Sequence, residues 1–336
     1  LTGGSHGTLQ GGAALGFGGE RAWVDLQASH LETDGIDACR GLPFPPGGGC
    51  FTSEPDRDPY RNSSVNLRTG LQLTPGLDAQ AFVQRTEGRA SYDGSFVNQS
   101  ETVNQVAGLE FDGALGDRWH SRLSVGRSWD DNESFRDGQS RSVFDSRRDT
   151  LTWQNDLDLG ARGTLVLGLD WLQDRVASST RYTEDSRWNR ALFAQYGSAL
   201  GGHEWSLSAR LDDNQQFGSN ATGSLAWGHA LGNGVRAYAS VGTAFKAPSF
   251  NDLYFPGFSN PRLDPERSTA YELGLKGTRD WGRFTLAAFR SDVDDLIAFD
   301  SATFLPQNIQ RARLGGVEGS LTWQRGAWRL EQSLTW

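Results

Sequence analysis

Methionine is absent from this 336-residue chain, so Leu1 is no translation start and the sequence reads as a mature fragment. Cysteine is nearly absent. The two present, Cys39 and Cys50, fall in one Pro/Gly-rich stretch. Placed so, they are expected to pair in an oxidising compartment, and closing that short loop stabilises by ~3 kcal/mol in the chain-entropy model. A zinc site is disfavoured, because no matching set of Cys and His ligands lies nearby. No apolar run approaches the ~18 residues of a membrane helix. Positive charge is in deficit: the net charge of −9 argues against a nucleic-acid partner, which needs a basic stripe. The five histidines are scattered, and the reading is of a protein that is not an enzyme.

What is present is alternation. Mean hydropathy is only −0.53, while Gly (42) and Trp (12) are abundant. Ala22, Val24, Leu26 and Ala28 alternate with Trp23, Asp25, Gln27 and Ser29. The same period recurs at Val65 to Leu73, Leu77 to Val83, Leu165 to Trp171, Trp205 to Leu211 and Val317 to Trp323. A period of two announces strands with one apolar and one polar face. Counting them gives about 16 strands of roughly ten residues, the length that crosses a bilayer with tilt. A soluble sandwich would need further apolar elements to cover the apolar face, and the sequence has none. That face must then meet lipid, which predicts an all-β, antiparallel transmembrane β-barrel.

Connections alternate in length. Tight turns are expected near Gly18-Gly19, Pro75-Gly76, 113–116, 160–163, Gly201-Gly202, 232–234, 280–282 and Gly326. Long polar loops are expected at 32–61, 86–103, 131–146, 174–187, 244–267 and 294–312. Short turns at one rim and long loops at the other is the outer-membrane pattern. Trp23, Trp119, Trp205, Trp227, Trp281, Trp323 and Trp328 sit beside the short turns and read as an interfacial girdle.

One stretch narrows the reading. Between the strands that end near Val241 and begin near Tyr271, the prolines Pro248, Pro256, Pro261 and Pro265 exclude a central strand. Phe245-Lys246-Ala247-Pro248, then Asn260-Pro261-x-Leu263-x-Pro265-Glu266, resembles the loop signature of TonB-dependent outer-membrane transporters. The segment from Ser291 to Ile297, Asn308, and the run Arg313 to Gly319 are similar to the same family. The resemblance covers nearly the whole chain. It implies that residues 1–336 are part of a barrel of about 22 strands, with the plug domain and the C-terminal strands outside this sequence.

Acidic loop residues are usually just solvated. Here Asp37 sits in Thr33-x-Gly35-x-Asp37, Asp56 and Asp58 in an Asp-x-Asp, and Asp93 follows Tyr92 in the next long loop. Two aspartates separated by one residue point to the same side of an extended segment. Hard carboxylate oxygens from neighbouring loops suit Ca2+. These elements resemble the calcium cluster of the cobalamin (vitamin B12) transporters within the family. By that resemblance Asp37, Asp56, Asp58 and Asp93 hold calcium, with Glu101 the best guess for a further carboxylate, and Tyr92 and Gly94 contact substrate. The cysteine-bracketed insertion between Asp37 and Asp56 departs from the pattern.

The expected function is therefore TonB-dependent transport of cobalamin or a related corrinoid in the bacterial outer membrane. Its partners would be the ligand, TonB through the plug, and outer-membrane lipid. The alternatives are a siderophore or other metal-chelate receptor, and a passive 16-strand porin.

Overall fold

The computed structural model describes residues 1–39, 52 and 54–336; Cys50 lies outside them. Its strands run in chain order as β1 (Thr2–Gly3), β2 (Leu9–Gly18), β3 (Ala22–Thr33), β4 (Tyr60–Thr74), β5 (Leu77–Ser91) and β6 (Gln99–Gly116). Then follow β7 (Trp119–Arg136), β8 (Gln139–Asp158), β9 (Thr164–Ser178), β10 (Ser186–Leu200), β11 (His203–Asn214) and β12 (Gly218–Gly232). The last are β13 (Val235–Lys246), β14 (Glu266–Arg279), β15 (Gly282–Asp300), β16 (Leu305–Arg325) and β17 (Trp328–Thr335). One five-residue helix, α1 (Phe250–Tyr254), precedes β14. The fold is all-β and antiparallel, as the alternation predicts. All strands but the two-residue β1 are at least eight residues long, which matches the expected 16.

The chain divides into two compact units. In the first, registers place Leu15, Leu26, Leu67, Val83 and Ala107 in one row across β2 to β6. In the second, Trp205, Trp227, Ala239, Leu273, Ala288 and Val317 share a row across β11 to β16. Because side chains alternate, each row fixes a continuous apolar face. Its members stay open to the surroundings, as with Leu273 at 62% exposure. The opposite face is polar and tied by ion pairs: Arg122 to Asp112 at 2.8 Å in the first unit, Arg210 to Asp212 at 2.9 Å in the second.

Two expectations need correcting. The predicted long loops at 131–146 and 294–312 are largely strand. β7 and β8 meet at a two-residue turn, Asp137-Gly138, and β15 and β16 continue to Asp300 and from Leu305. Ladder hydrogen bonds belong to the backbone, so pairing persists beyond the ~9–11 residues that need apolar side chains to cross a bilayer. The segments at 86–103 and 174–187 shrink in the same way. Trp23 is the other departure. It pairs with Gly70 on the polar face, and the Arg68 guanidinium lies 5.9 Å from its ring centre, so parity, not nearness to a turn, decides where it points.

The best-packed segment is the irregular one between β13 and β14. Leu253 is fully buried and Leu263 is 3% exposed. Ser249 caps α1 by accepting from the Asp252 N–H, and Asp252 returns the bond to the Ser249 N–H, satisfying two orphan donors. Asn308 of β16 ties the segment down, donating to the carbonyls of Asp264 at 2.9 Å and Asp295 at 2.7 Å. Leu253→Ala is expected to weaken this packing by about 2–5 kcal/mol. The measurement is limited proteolysis between β13 and β14, which should quicken while the sheet melts unchanged. An unchanged cleavage rate would show that Leu253 does not hold the segment.

Candidate metal centre in the loop carboxylates

The site lies in the first unit, where the chain leaves β3, enters β4, and turns between β5 and β6. Thr33, the last residue of β3, accepts the Gly35 N–H on its hydroxyl at 3.2 Å and donates to the His6 carbonyl at 3.1 Å. Gly35 then takes a left-handed φ of 67°. A β-carbon there would meet the Asp58 carbonyl at 1.9 Å, so only glycine lets the two segments touch. Contact made, Asp58 N–H donates to the Ile36 carbonyl at 3.0 Å, and Ala38 N–H donates to Asp58 Oδ2 at 3.0 Å.

The β5–β6 connection brings the last carboxylate. Tyr92 N–H donates to the Asn98 carbonyl at 3.0 Å. Gly94 sits so close to Val97 that a β-carbon would meet its carbonyl at 1.9 Å. Asp93 Oδ1 accepts the Glu54 N–H at 2.7 Å. One oxygen each from Asp56, Asp58 and Asp93 lies within 4.8 Å of the others. Asp37 completes the electrostatic neighbourhood: burial, first, and then Asp93, Asp56 and Asp37 raise the Asp58 carboxyl above its ordinary range, against the Ala38 hydrogen bond.

Asp37 Oδ1 and Asp93 Oδ2 are buried with no hydrogen-bond partner. Buried carboxylate oxygens left in that state are costly, and the three converging acids, with Asp37 near Asp58, repel one another. A hard dication answers both problems. Calcium takes six to eight oxygens at about 2.4 Å, so ligands on opposite sides of one ion stand about 4.8 Å apart. The residues present fit the ion.

Glu101, in contrast, is drawn away from the cluster. It lies on β6 and pairs with Arg89 at 3.1 Å. The sequence reading also missed the brace. Glu54 binds Arg136 at 2.6 Å and accepts from Asn98 at 3.2 Å, while Asn98 donates to Asp137 at 3.0 Å and Arg136 donates to the Gly94 carbonyl. This locks the loop to the tip of the β7–β8 hairpin, and no local spacing announces it. Cys39 is buried, and there is no free thiol among the described residues.

The sequence pattern of the family described as TonB dependent receptor-like, beta-barrel, matches residues 47–336. The chain belongs to that family. TonB-dependent receptor barrels are outer-membrane proteins of Gram-negative bacteria, which places this chain in that membrane and explains the exposed apolar rows. The vitamin B12 transporter BtuB of Photobacterium profundum is 32% identical over 332 residues, covering 94% of this chain and 52% of that protein. BtuB of Vibrio vulnificus is 30% identical over 279 residues, covering 77% of this chain and 45% of that protein. The chain thus spans about half the length of either transporter. Among solved structures, a mutant of the ferric enterobactin receptor PfeA of Pseudomonas aeruginosa superposes with a TM-score of 0.82 at 18% identity, covering 97% of this chain and 59% of that one. At that identity the likeness speaks for the fold alone.

Proposed function

We propose that this TonB-dependent receptor barrel serves the uptake of cobalamin or a related corrinoid, with Asp37, Asp56, Asp58 and Asp93 as a calcium centre. The convergence of Asp56, Asp58 and Asp93, with Asp37 close enough to act on Asp58 and orphaned buried oxygens on Asp37 and Asp93, carries the reading. The B12 transporters at about one-third identity support the ligand class. Bound calcium would supply the positive charge that lets the four acids stay together.

The chain's own residues do the rest. Gly35, Ala38 and Asp58 close the two ends of the first loop on each other, the Glu54 N–H joins it to Asp93 of the second, and Glu54, Asn98 and Arg136 brace the second against the β7–β8 hairpin. A loop already ordered loses less conformational entropy when ligand arrives. Tyr92 and Gly94, beside Asp93, would then meet substrate at an ordered surface. Release inward would depend on TonB acting on a plug. A siderophore or other metal chelate is the second reading, since receptors named for such ligands share this fold.

The test is titration of the full-length protein with cobalamin in calcium and in chelator. Binding in chelator is expected to be about 5–150-fold weaker, the usual span of a coupling between two sites. Tight binding indifferent to calcium would remove the metal from the reading. Binding of a ferric siderophore with no cobalamin binding would favour the second ligand class.

A further inference from the structure

The apolar face of β14 to β16 changes character abruptly along its length. Its rows read, from the short-turn rim outward, Leu275 with Leu286, then Leu273 with Ala288 and Val317. The next row pairs Tyr271 with Arg290. The one beyond is Thr269, Asp292 and Arg313, and the last is Arg267, Asp294 and Arg311. Register keeps all of these on the lipid-facing side. Apolar side chains therefore give way, within one step, to four guanidiniums and two carboxylates. The patch carries two net positive charges in a chain whose net charge is −9.

Its centre is built. Asp292 is nearly buried, with a side chain 11% exposed, and it accepts from Arg290 Nε at 2.9 Å, Arg290 Nη2 at 3.0 Å and Arg313 Nε at 2.9 Å. One carboxylate thus orients two guanidiniums while leaving further N–H donors on each. Arg290 and Arg313 keep 49% and 59% of their side-chain surface open. Arg311 stands beside them, 3.6 Å from Asp294.

The first unit holds the same device independently. Asp149 of β8, 14% exposed, is approached by Arg127 of β7, and by Arg147 and Arg175 of β8 and β9 at 3.8 Å each. Arg147 Nε is buried and makes no hydrogen bond. By alternation these residues share a face with Val125, Leu151, Trp153 and Trp171, and they lie just beyond those residues on the long-loop side.

We infer that the Arg290–Asp292–Arg313 cluster binds the phosphorylated headgroup of an outer-leaflet glycolipid. Planar guanidiniums match phosphate oxygens in paired hydrogen bonds. The cluster begins one row above the apolar band of Leu273, Ala288 and Val317, and apolar residues return only beyond the Asp294–Arg311 row, at Leu296 and Ile309. A solvated patch serving only solubility would not need a buried carboxylate to aim its cations.

The experiment takes the full-length protein, extracted from outer membranes in mild detergent, and measures bound phosphorylated glycolipid by native mass spectrometry. The variant carrying Arg290→Gln and Arg313→Gln is expected to retain roughly thirtyfold less, since each surface cation near a lipid headgroup is worth about a factor of five. Equal retention by a folded variant would overturn the inference. Should the variant not fold, the wild-type protein is titrated with the glycolipid, its dephosphorylated form and inorganic phosphate. Preference for the phosphorylated glycolipid over both is the supporting result. Equal binding of the dephosphorylated form, or displacement by equimolar inorganic phosphate, would also overturn it, the latter by reducing the site to one for free anions.

Discussion

Asp58→Asn is expected to tighten the empty loops and to loosen them in calcium. In chelator the aspartate stands among Asp93, Asp56 and Asp37, partly withdrawn from water. Removing its charge relieves that repulsion, by about 0.5 kcal/mol once solvent screening is allowed for. Asparagine keeps an oxygen to accept the Ala38 N–H, so the hook between the two segments survives. In calcium the same change deletes a charged ligand, and affinity should fall roughly tenfold or more, because ligand charge count tunes such sites. Stability linked to binding falls with it. Hydrogen exchange at the Ala38 and Asp58 amides reads both signs. Protection shifting the same way in both media would end the case for a metal at this cluster.

Gly35→Ala should be more damaging than any single carboxylate change. A left-handed φ costs an alanine about 1–2 kcal/mol wherever it occurs. Gly138, at φ 77° with nothing within 4 Å of a β-carbon, measures that cost alone. At Gly35 the new β-carbon would also sit 1.9 Å from the Asp58 carbonyl, so the two segments must part and carry Asp58 away from Asp56 and Asp93. The loss in calcium affinity is expected to reach the order of a hundredfold, about 3 kcal/mol. Gly138→Ala should leave calcium binding intact. If the two alanines behave alike under calcium titration, the close approach at Gly35 is not what seats Asp58.

Strand identity was legible because a lipid-facing strand must spend every second residue on apolar side chains. Leu26, Leu67 and Val83 could be assigned to one face before their register was known. Strand ends were not legible. Arg136, Gln139 and Asp300 look like loop residues because polarity is all the side chains report, while their backbones remain paired. Trp23 misled for a related reason: its nearness to a turn suggested the girdle, but the polar face it shares with Asp25 along β3 sets its direction. The aspartates were found through a resemblance, since acidic loop residues carry little signal alone. Glu101 shows the weakness of that route, because its neighbour in space is Arg89 and not the cluster. The Glu54–Arg136 brace spans strands distant in sequence, and nothing in the spacing of either residue advertises it.

The hook at Ala38 and Asp58 has an evolutionary corollary. It joins residues 20 positions apart, so the two ends of the cysteine-bearing segment are stapled together at its base. A chain anchored in this way can change length at small thermodynamic cost, because each doubling of a flexible loop adds only about 0.6 kcal/mol of closure entropy. The Ala38–Asp58 hook and the Glu54–Asp93 bond fix the residues on either side of that stretch. The stretch between Ala38 and Glu54 is therefore the place to graft a tag or an epitope.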